Sequence, residues 1–284
     1  MFTGSMVALV TPFRKGRVDE KALRGLIKSQ IQEGTSVIVP CGTTGESATL
    51  SHEEHNRVIE LTVKAVRGRV PVVAGTGSNS TSEAIALTQH AKKVGADGAL
   101  LICPYYNRPT QEGLYQHFKA IAKAVNLPLV LYNIPSRTGV NLLPSTVARL
   151  LEFPTIVAIK ESSGSLQQIS ELIGLCGDRL VVISGDDSLT LPIIALGGQG
   201  VISVAANLVP KDCSELVKAA LKGDGEKARQ LHYRLSPLVD ALFLETNPSP
   251  VKAALELLGR CSGEVRLPLC LMTQANHEDR KSVV

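Results

Sequence analysis

A lysine that ends an apolar run can do covalent chemistry. In TIVAIKESSG (155–164) five uncharged residues lead up to Lys160, and Glu161 follows. Taking an ammonium out of water without a partner is costly. Lys160 therefore snorkels to solvent, pairs with Glu161, or is used by a site. If it is used, burial disfavours its charged form, and the neutral amine attacks a ketone to give a Schiff base.

Other residues suited to chemistry sit in glycine- or proline-rich segments. In CGTTGE (41–46) Thr43 and Thr44 lie between glycines. Backbone N–H groups that converge there suit a small carboxylate; an ordinary glycine turn is the alternative. PYYNRP (104–109) holds Tyr105 and Tyr106, and PLVLYNI (128–134) holds Tyr132. Hydrogen-bonded phenols relay protons; packed phenols with satisfied hydroxyls are the plainer account. Arg137, in PSRTG (135–139), can grip a carboxylate with two hydrogen bonds or simply face solvent. SGDD (184–187) ends another apolar run. HEEH (52–55) spaces its histidines three apart, not the four of the zinc-protease helix. GTGSNS (75–80) lacks the last glycine of a dinucleotide fingerprint, and no phosphate-binding loop is present. Neither metal nor nucleotide is expected.

The elements that must position these residues follow one pattern. Short β-branched runs occur at 5–10, 35–40, 70–76, 98–103, 128–134, 155–160, 180–185 and 200–205. Helical spacing separates them at 20–32, 52–66, 82–94, 112–125 and 166–175. Runs apolar on both faces suit a parallel sheet covered by helices. Ser51 and Glu54 form a capping box, and Ser82 precedes Glu83 in another first turn. Pro144 and Pro192 fit first turns, and Gly95 follows a helix end. Eight strands fit a (β/α)8 TIM barrel, with an open doubly wound sheet as runner-up. In a barrel, the site lies at the C-terminal strand ends, where most of the polar segments fall. Strand alternation sets Lys160 on the face of Ile156 and Ala158. Residues 206–259 read as mainly helical, so the expected division is a barrel over 1–222 and a helical extension over 223–284.

Composition excludes several classes. The chain has 284 residues, 44% hydrophobic and 20% charged, the balance of a soluble globular protein. A formal charge of +4 is too small and dispersed to argue for nucleic acid. No run reaches membrane-helix length, and no signal peptide is visible. The six cysteines are scattered without C-x-x-C, which fits reduced thiols in a cytoplasm.

Together the segments GTTGES, PYYNRPTQEGLYQHF, YNIPSRTG, IKES and SGDD resemble the dihydrodipicolinate synthase family, in order over roughly residues 1–270. Its bacterial, lysine-sensitive branch is the nearest in likeness. The resemblance implies a Schiff base between Lys160 and pyruvate, then attack on L-aspartate 4-semialdehyde, with no metal or organic cofactor. It implies a proton relay of Tyr132, Thr43 and Tyr106, the last supplied by the neighbouring subunit of a tight dimer within a tetramer. Thr43 and Thr44 would bind the pyruvate carboxylate, and Arg137 the semialdehyde carboxylate. Gly185 and Ile202 would line the site through backbone groups. An L-lysine effector pocket would comprise Ser47, Ala48, His52, His55, Asn79, Glu83 and Tyr105. Without the resemblance, 47–55 reads as a capped helix start with solvated histidines. Related Schiff-base lyases, such as N-acetylneuraminate lyase and 2-keto-3-deoxy acid aldolases, are the rival enzymes. A non-catalytic keto-acid-binding barrel is the rival class. One departure is visible: Leu271 stands where the family's LP-x-x-P has its second proline, and TQANHEDRKSVV lacks a helical stripe.

Overall fold

The computed structural model describes residues 2–273 and Asn276. Its strands are β1 (Gly4–Ala8), β2 (Phe13–Arg14), β3 (Arg17–Val18), β4 (Val37–Val39), β5 (Val73–Gly75), β6 (Gly98–Ile102), β7 (Leu129–Asn133), β8 (Ile156–Glu161), β9 (Val181–Ser184) and β10 (Gly200–Ser203). All but β2 and β3 form one sheet in the order β4-β1-β10-β9-β8-β7-β6-β5, and every pairing in it is parallel. A parallel bridge from Ile38 to Val72 joins its two ends, with Gly75 N–H donating to Pro40 O at 2.9 Å. The sheet is thus a (β/α)8 barrel rather than an open one. All eight expected strands are present.

The interior is one cluster that includes Met6, Val39, Leu100, Tyr132, Ala158, Ile183 and Ile202. The alternate residues Leu101, Leu131, Ile159 and Val182 pack outward under the helices, which is why the strands are apolar on both faces. One expectation fails here. Ile156 does not share the face of Lys160: it joins the outer cluster, while Val157 packs on the inner one. The register shifts between Leu129 and Val130, so Ile156 pairs with Leu129 but Ala158 with Val130. A bulge of one extra residue reverses the alternation below it, and only Ala158 and Lys160 remain in phase.

The helices are α1 (Glu20–Gln32), α2 (His52–Val66), α3 (Thr81–Lys93), α4 (Gln111–Ala124), α5 (Pro135–Thr138), α6 (Pro144–Leu150), α7 (Leu166–Cys176), α8 (Thr190–Ala195), α9 (Pro210–Leu221), α10 (Gly225–Leu242) and α11 (Ser249–Leu257). Ser51 and Glu54 form the expected reciprocal capping box. α3 starts one residue earlier than Ser82, with Ser80 as its N-cap. Gly95, at φ +92°, follows its end. α10 and α11 bring Leu235, Leu242, Val251 and Leu255 onto the core beneath β1 and β4. Among the described residues no helix is long and apolar enough to cross a membrane. The aperiodic tail falls mostly on 274–275 and 277–284, which lie outside the described residues.

Arg266 ties the stretch after α11 back to α2. It donates to Glu54 at 2.6 and 2.7 Å and to the carbonyls of Thr49 and Gly16. The guanidinium holds the Glu54 carboxyl down at about 2. A carboxylate depressed in the folded state adds stability above its unfolded pKa, near 4.5, and loses it as pH falls through the folded value. Glu54→Gln is therefore expected to flatten the part of the melting-temperature profile between pH 4.5 and about 2. An unchanged profile would mean that the pair contributes nothing.

Candidate active site

Lys160 and Tyr132 are paired in register on β8 and β7. They are 6% and 4% exposed, and the Lys160 amine sits 4.2 Å from the centre of the Tyr132 ring. Glu161 does not pair with it. Alternation turns Glu161 outward, where it accepts from Asn133 Nδ2 at 3.1 and 3.2 Å and from Ser163 N–H at 2.7 Å. Burial raises the Glu161 pKa against these donors. Among the described residues the Lys160 amine has no ion-pair partner, so both bland readings of this lysine fall away.

Gly185 follows β9 and leaves space for Lys160. A Cβ there would lie 2.8 Å from Lys160 Cε and 1.8 Å from Ser162 Oγ. The next loop residues serve structure. Asp187 is half-buried and accepts from Ser203 Oγ at 2.5 Å and from the N–H groups of Val204 and Ala205 at 2.9 and 3.2 Å. It thereby joins the mouths of β9 and β10. Ile202 is 2% exposed in the barrel interior.

The loop after β4 carries Thr43 and Thr44. Thr43 and Tyr132 line one small cavity of about 30 Å³ with Gly42, Gly77 and Ile102. Thr43 also borders a larger cleft of about 470 Å³, along with Ser47, His55, Tyr105, Arg137 and Asn247. Thr44 is buried and accepts from Asn247 Nδ2 at 3.0 Å. Arg137 donates to the Asn247 carbonyl at 3.1 Å. Asn247 thus bridges the two expected carboxylate binders, and its own Oδ1 is buried with no partner among the described residues. Sequence reasoning missed it, because TNPSP (246–250) signals only a turn. Glu46 was missed as well. It is fully buried, 2.6 Å from Lys252 Nζ, and its second oxygen accepts from Arg266 N–H at 3.0 Å. Lys252 lies 4.2 Å from the centre of the Phe13 ring, and burial lowers its pKa.

Six of the expected effector residues, Ser47, Ala48, His52, His55, Glu83 and Tyr105, line the larger cleft. Asn79 touches it indirectly by donating to Tyr105 O at 3.2 Å. His52 Nε2 lies 2.7 Å from Glu83 Oε1. Hydrogen bonds from Ser78 and then His52 hold the Glu83 pKa down. His55 donates from Nε2 to Gly75 O at 2.8 Å. It is buried, and burial lowers its pKa. The two histidines thus line one cleft with separate partners, His52 with Glu83 and His55 with the Gly75 carbonyl. Tyr106 stands apart from the rest: it is 90% exposed, at φ +70°.

The fold and the site define a (β/α)8 barrel whose polar groups gather at the C-terminal mouth around an enclosed lysine, the face where barrel enzymes work. The profile of the Dihydrodipicolinate synthetase family matches residues 1–284, and the chain belongs to that family. A curated 4-hydroxy-tetrahydrodipicolinate synthase of Syntrophus aciditrophicus is 62% identical over 284 residues, 100% of this chain and 98% of the relative. The crystal structure of the chloride-inhibited dihydrodipicolinate synthase of Acinetobacter baumannii, complexed with pyruvate, is 47% identical at a TM-score of 0.98, covering 99% and 97% of the two chains. That of Cyanidioschyzon merolae with lysine bound is 42% identical at a TM-score of 0.96, covering 99% and 96%. The chain is accordingly an enzyme of the lyase class.

Proposed function

We propose that this chain condenses pyruvate with L-aspartate 4-semialdehyde through a Schiff base on Lys160, as a step of diaminopimelate and lysine biosynthesis in the cytoplasm. The observation that carries the reading is the in-register pair of Lys160 and Tyr132, with an amine that meets no carboxylate among the described residues. Lys160 Nζ attacks the C2 carbonyl of pyruvate; water leaves and a protonated imine forms. That imine is the electron sink, so a methyl proton departs to give the enamine and no cofactor is required. The enamine carbon bonds to the aldehyde carbon of the semialdehyde, whose oxygen takes a proton. The semialdehyde's amine then attacks C2 and displaces Lys160, closing the ring.

Tyr132 and Thr43 border one cavity and begin the relay that moves these protons. Tyr106, exposed on its own chain, completes the relay in a second copy, which makes a tight dimer obligatory; two such dimers form the tetramer. Thr43 and Thr44 take the pyruvate carboxylate, and Arg137 that of the semialdehyde. Gly185 and Ile202 line the pocket. L-Lysine binds between Glu83, His52, His55, Asn79, Tyr105, Ser47 and Ala48, with Glu83 holding its ammonium. The pyruvate- and lysine-bound relatives support both halves of this reading. The division at 222/223 belongs to the same proposal: the barrel supplies Lys160 and the extension braces its mouth.

Borohydride reduction in the presence of pyruvate, followed by peptide mass spectrometry, tests the central claim. The expected result is a pyruvate-sized adduct on Lys160. Folded protein without the adduct would remove the Schiff-base mechanism.

A further inference from the structure

The Glu46–Lys252 ion pair has no part in the steps above. Its residues are 206 positions apart, and both side chains are fully out of solvent. Such a pair is weak evidence of a stabilising role, because apolar residues of similar volume often serve as well. Its position is more telling. Glu46 closes the loop that carries Thr43 and Thr44, and its backbone is left-handed at φ 54°. A residue with a Cβ holds that conformation only where its surroundings over-determine it. Here both carboxylate oxygens are taken by the C-terminal extension, one by Lys252 and one by Arg266 N–H. Two residues earlier, Thr44 is held by Asn247 of the same extension. From the barrel side, Thr11 Oγ donates to Gly45 O at 2.7 Å, and a Cβ on Gly45 would meet Cys41 N at 3.0 Å and Leu9 O at 3.1 Å. The loop is thus clamped between the barrel wall and residues 246–266.

We infer that Glu46 and Lys252 are positioning residues for keto-acid capture: their ion pair sets the loop so that Thr43 and Thr44 present their donors to the carboxylate while Lys160 attacks. The inference rests on the function proposed above and concerns the same site. Neither residue touches the substrate. Loss of the pair therefore raises the KM for pyruvate more than it lowers kcat, and leaves the lysine reactive.

The test compares the full-length protein with Glu46→Gln/Lys252→Met and Glu46→Asp. The double variant leaves no buried charge unpaired, and the aspartate keeps the charge while shortening its reach. Each is read by melting temperature, by pyruvate KM and kcat, and by the rate of borohydride trapping at limiting pyruvate. The expected result is a cooperative melt, a KM raised roughly tenfold or more, and trapping slowed by a similar factor but restored at saturating pyruvate. A wild-type KM in a folded variant, whatever its melting temperature, would overturn the inference by making the pair structural only. Should the double variant not fold, the aspartate variant decides the question on the same criteria, and failure of both to fold counts against a positioning role. Trapping of the wild-type protein is the separate control. Its failure would strike the proposed function, while normal wild-type trapping with unaffected variants would strike the clamp alone.

Discussion

Lys160→Ala is expected to abolish the borohydride-trapped pyruvate adduct and to lower turnover by on the order of 10⁴-fold or more, the scale set by removing a covalent nucleophile. The same substitution should leave a folded protein. Among the described residues the amine has no carboxylate partner to orphan, because Glu161 faces the other way and is held by Asn133 and Ser163. What is lost is the stem's packing and the contact with the Tyr132 ring at 4.2 Å, worth about 0.5–2 kcal/mol. Lys160→Met, which keeps most of the stem, separates the two effects: equally inactive, and at least as stable as the alanine variant. Activity assays with circular dichroism melts check both. Residual turnover within tenfold of wild type in either variant would place the chemistry elsewhere.

Gly185→Ala is expected to cost about 100-fold in kcat/KM for pyruvate, by displacing the nucleophile rather than removing it. The backbone of Gly185 is not among the left-handed positions, so an alanine is not excluded by its dihedral angles. Space excludes it. The new methyl would fall 2.8 Å from Lys160 Cε and 1.8 Å from Ser162 Oγ, so both side chains must move. Ser162 can rotate away, but Lys160 is enclosed by the barrel wall and its ring contact. The slow step should be adduct formation, visible as slowed trapping at every pyruvate concentration. Adding Ser162→Gly removes the closer clash and should recover part of the rate. Wild-type trapping by Gly185→Ala would show that the amine tolerates displacement and that this glycine is incidental. The two effects differ in kind. The lysine variant loses the bond-forming atom, whereas the glycine variant keeps it in the wrong place.

Much of this protein is written in short-range patterns. The eight apolar runs became the barrel strands, because a strand buried on both faces is simply an unbroken, mostly apolar run, here of three to six residues. The box at Ser51 and Glu54 formed because its two hydrogen bonds span three residues. Lys160 could be singled out for the same reason: its oddity, a charge closing an apolar run, is visible within ten residues. The hairpin of Phe13–Arg14 with Arg17–Val18 escaped notice, since two-residue strands carry no period. The bulge at Val157 also escaped, and it overturned the face assigned to Ile156. Nothing in TIVAIK distinguishes a regular strand from one that accommodates an extra residue against its neighbour.

Other features arise only where distant segments meet. Asn247 reaches Thr44 across 203 positions, and Lys252 reaches Glu46 across 206. Neither pairing has any trace in local spacing. Glu46 on its own reads as a loop acid bound for solvent, and Lys252 as one more charge on a helix. Only closure of the barrel and the return of α11 across its mouth bring them together without water. The fate of each ionisable group was settled in the same way. Lys160 and Glu161 are adjacent in sequence and both buried, yet one faces an unpaired interior and the other a ring of amide donors. Residue order fixes which groups exist and where the strands run. The tertiary structure decides which groups lose their water and what they meet instead, because desolvation and partner choice depend on everything packed around a side chain and not on its neighbours in the chain.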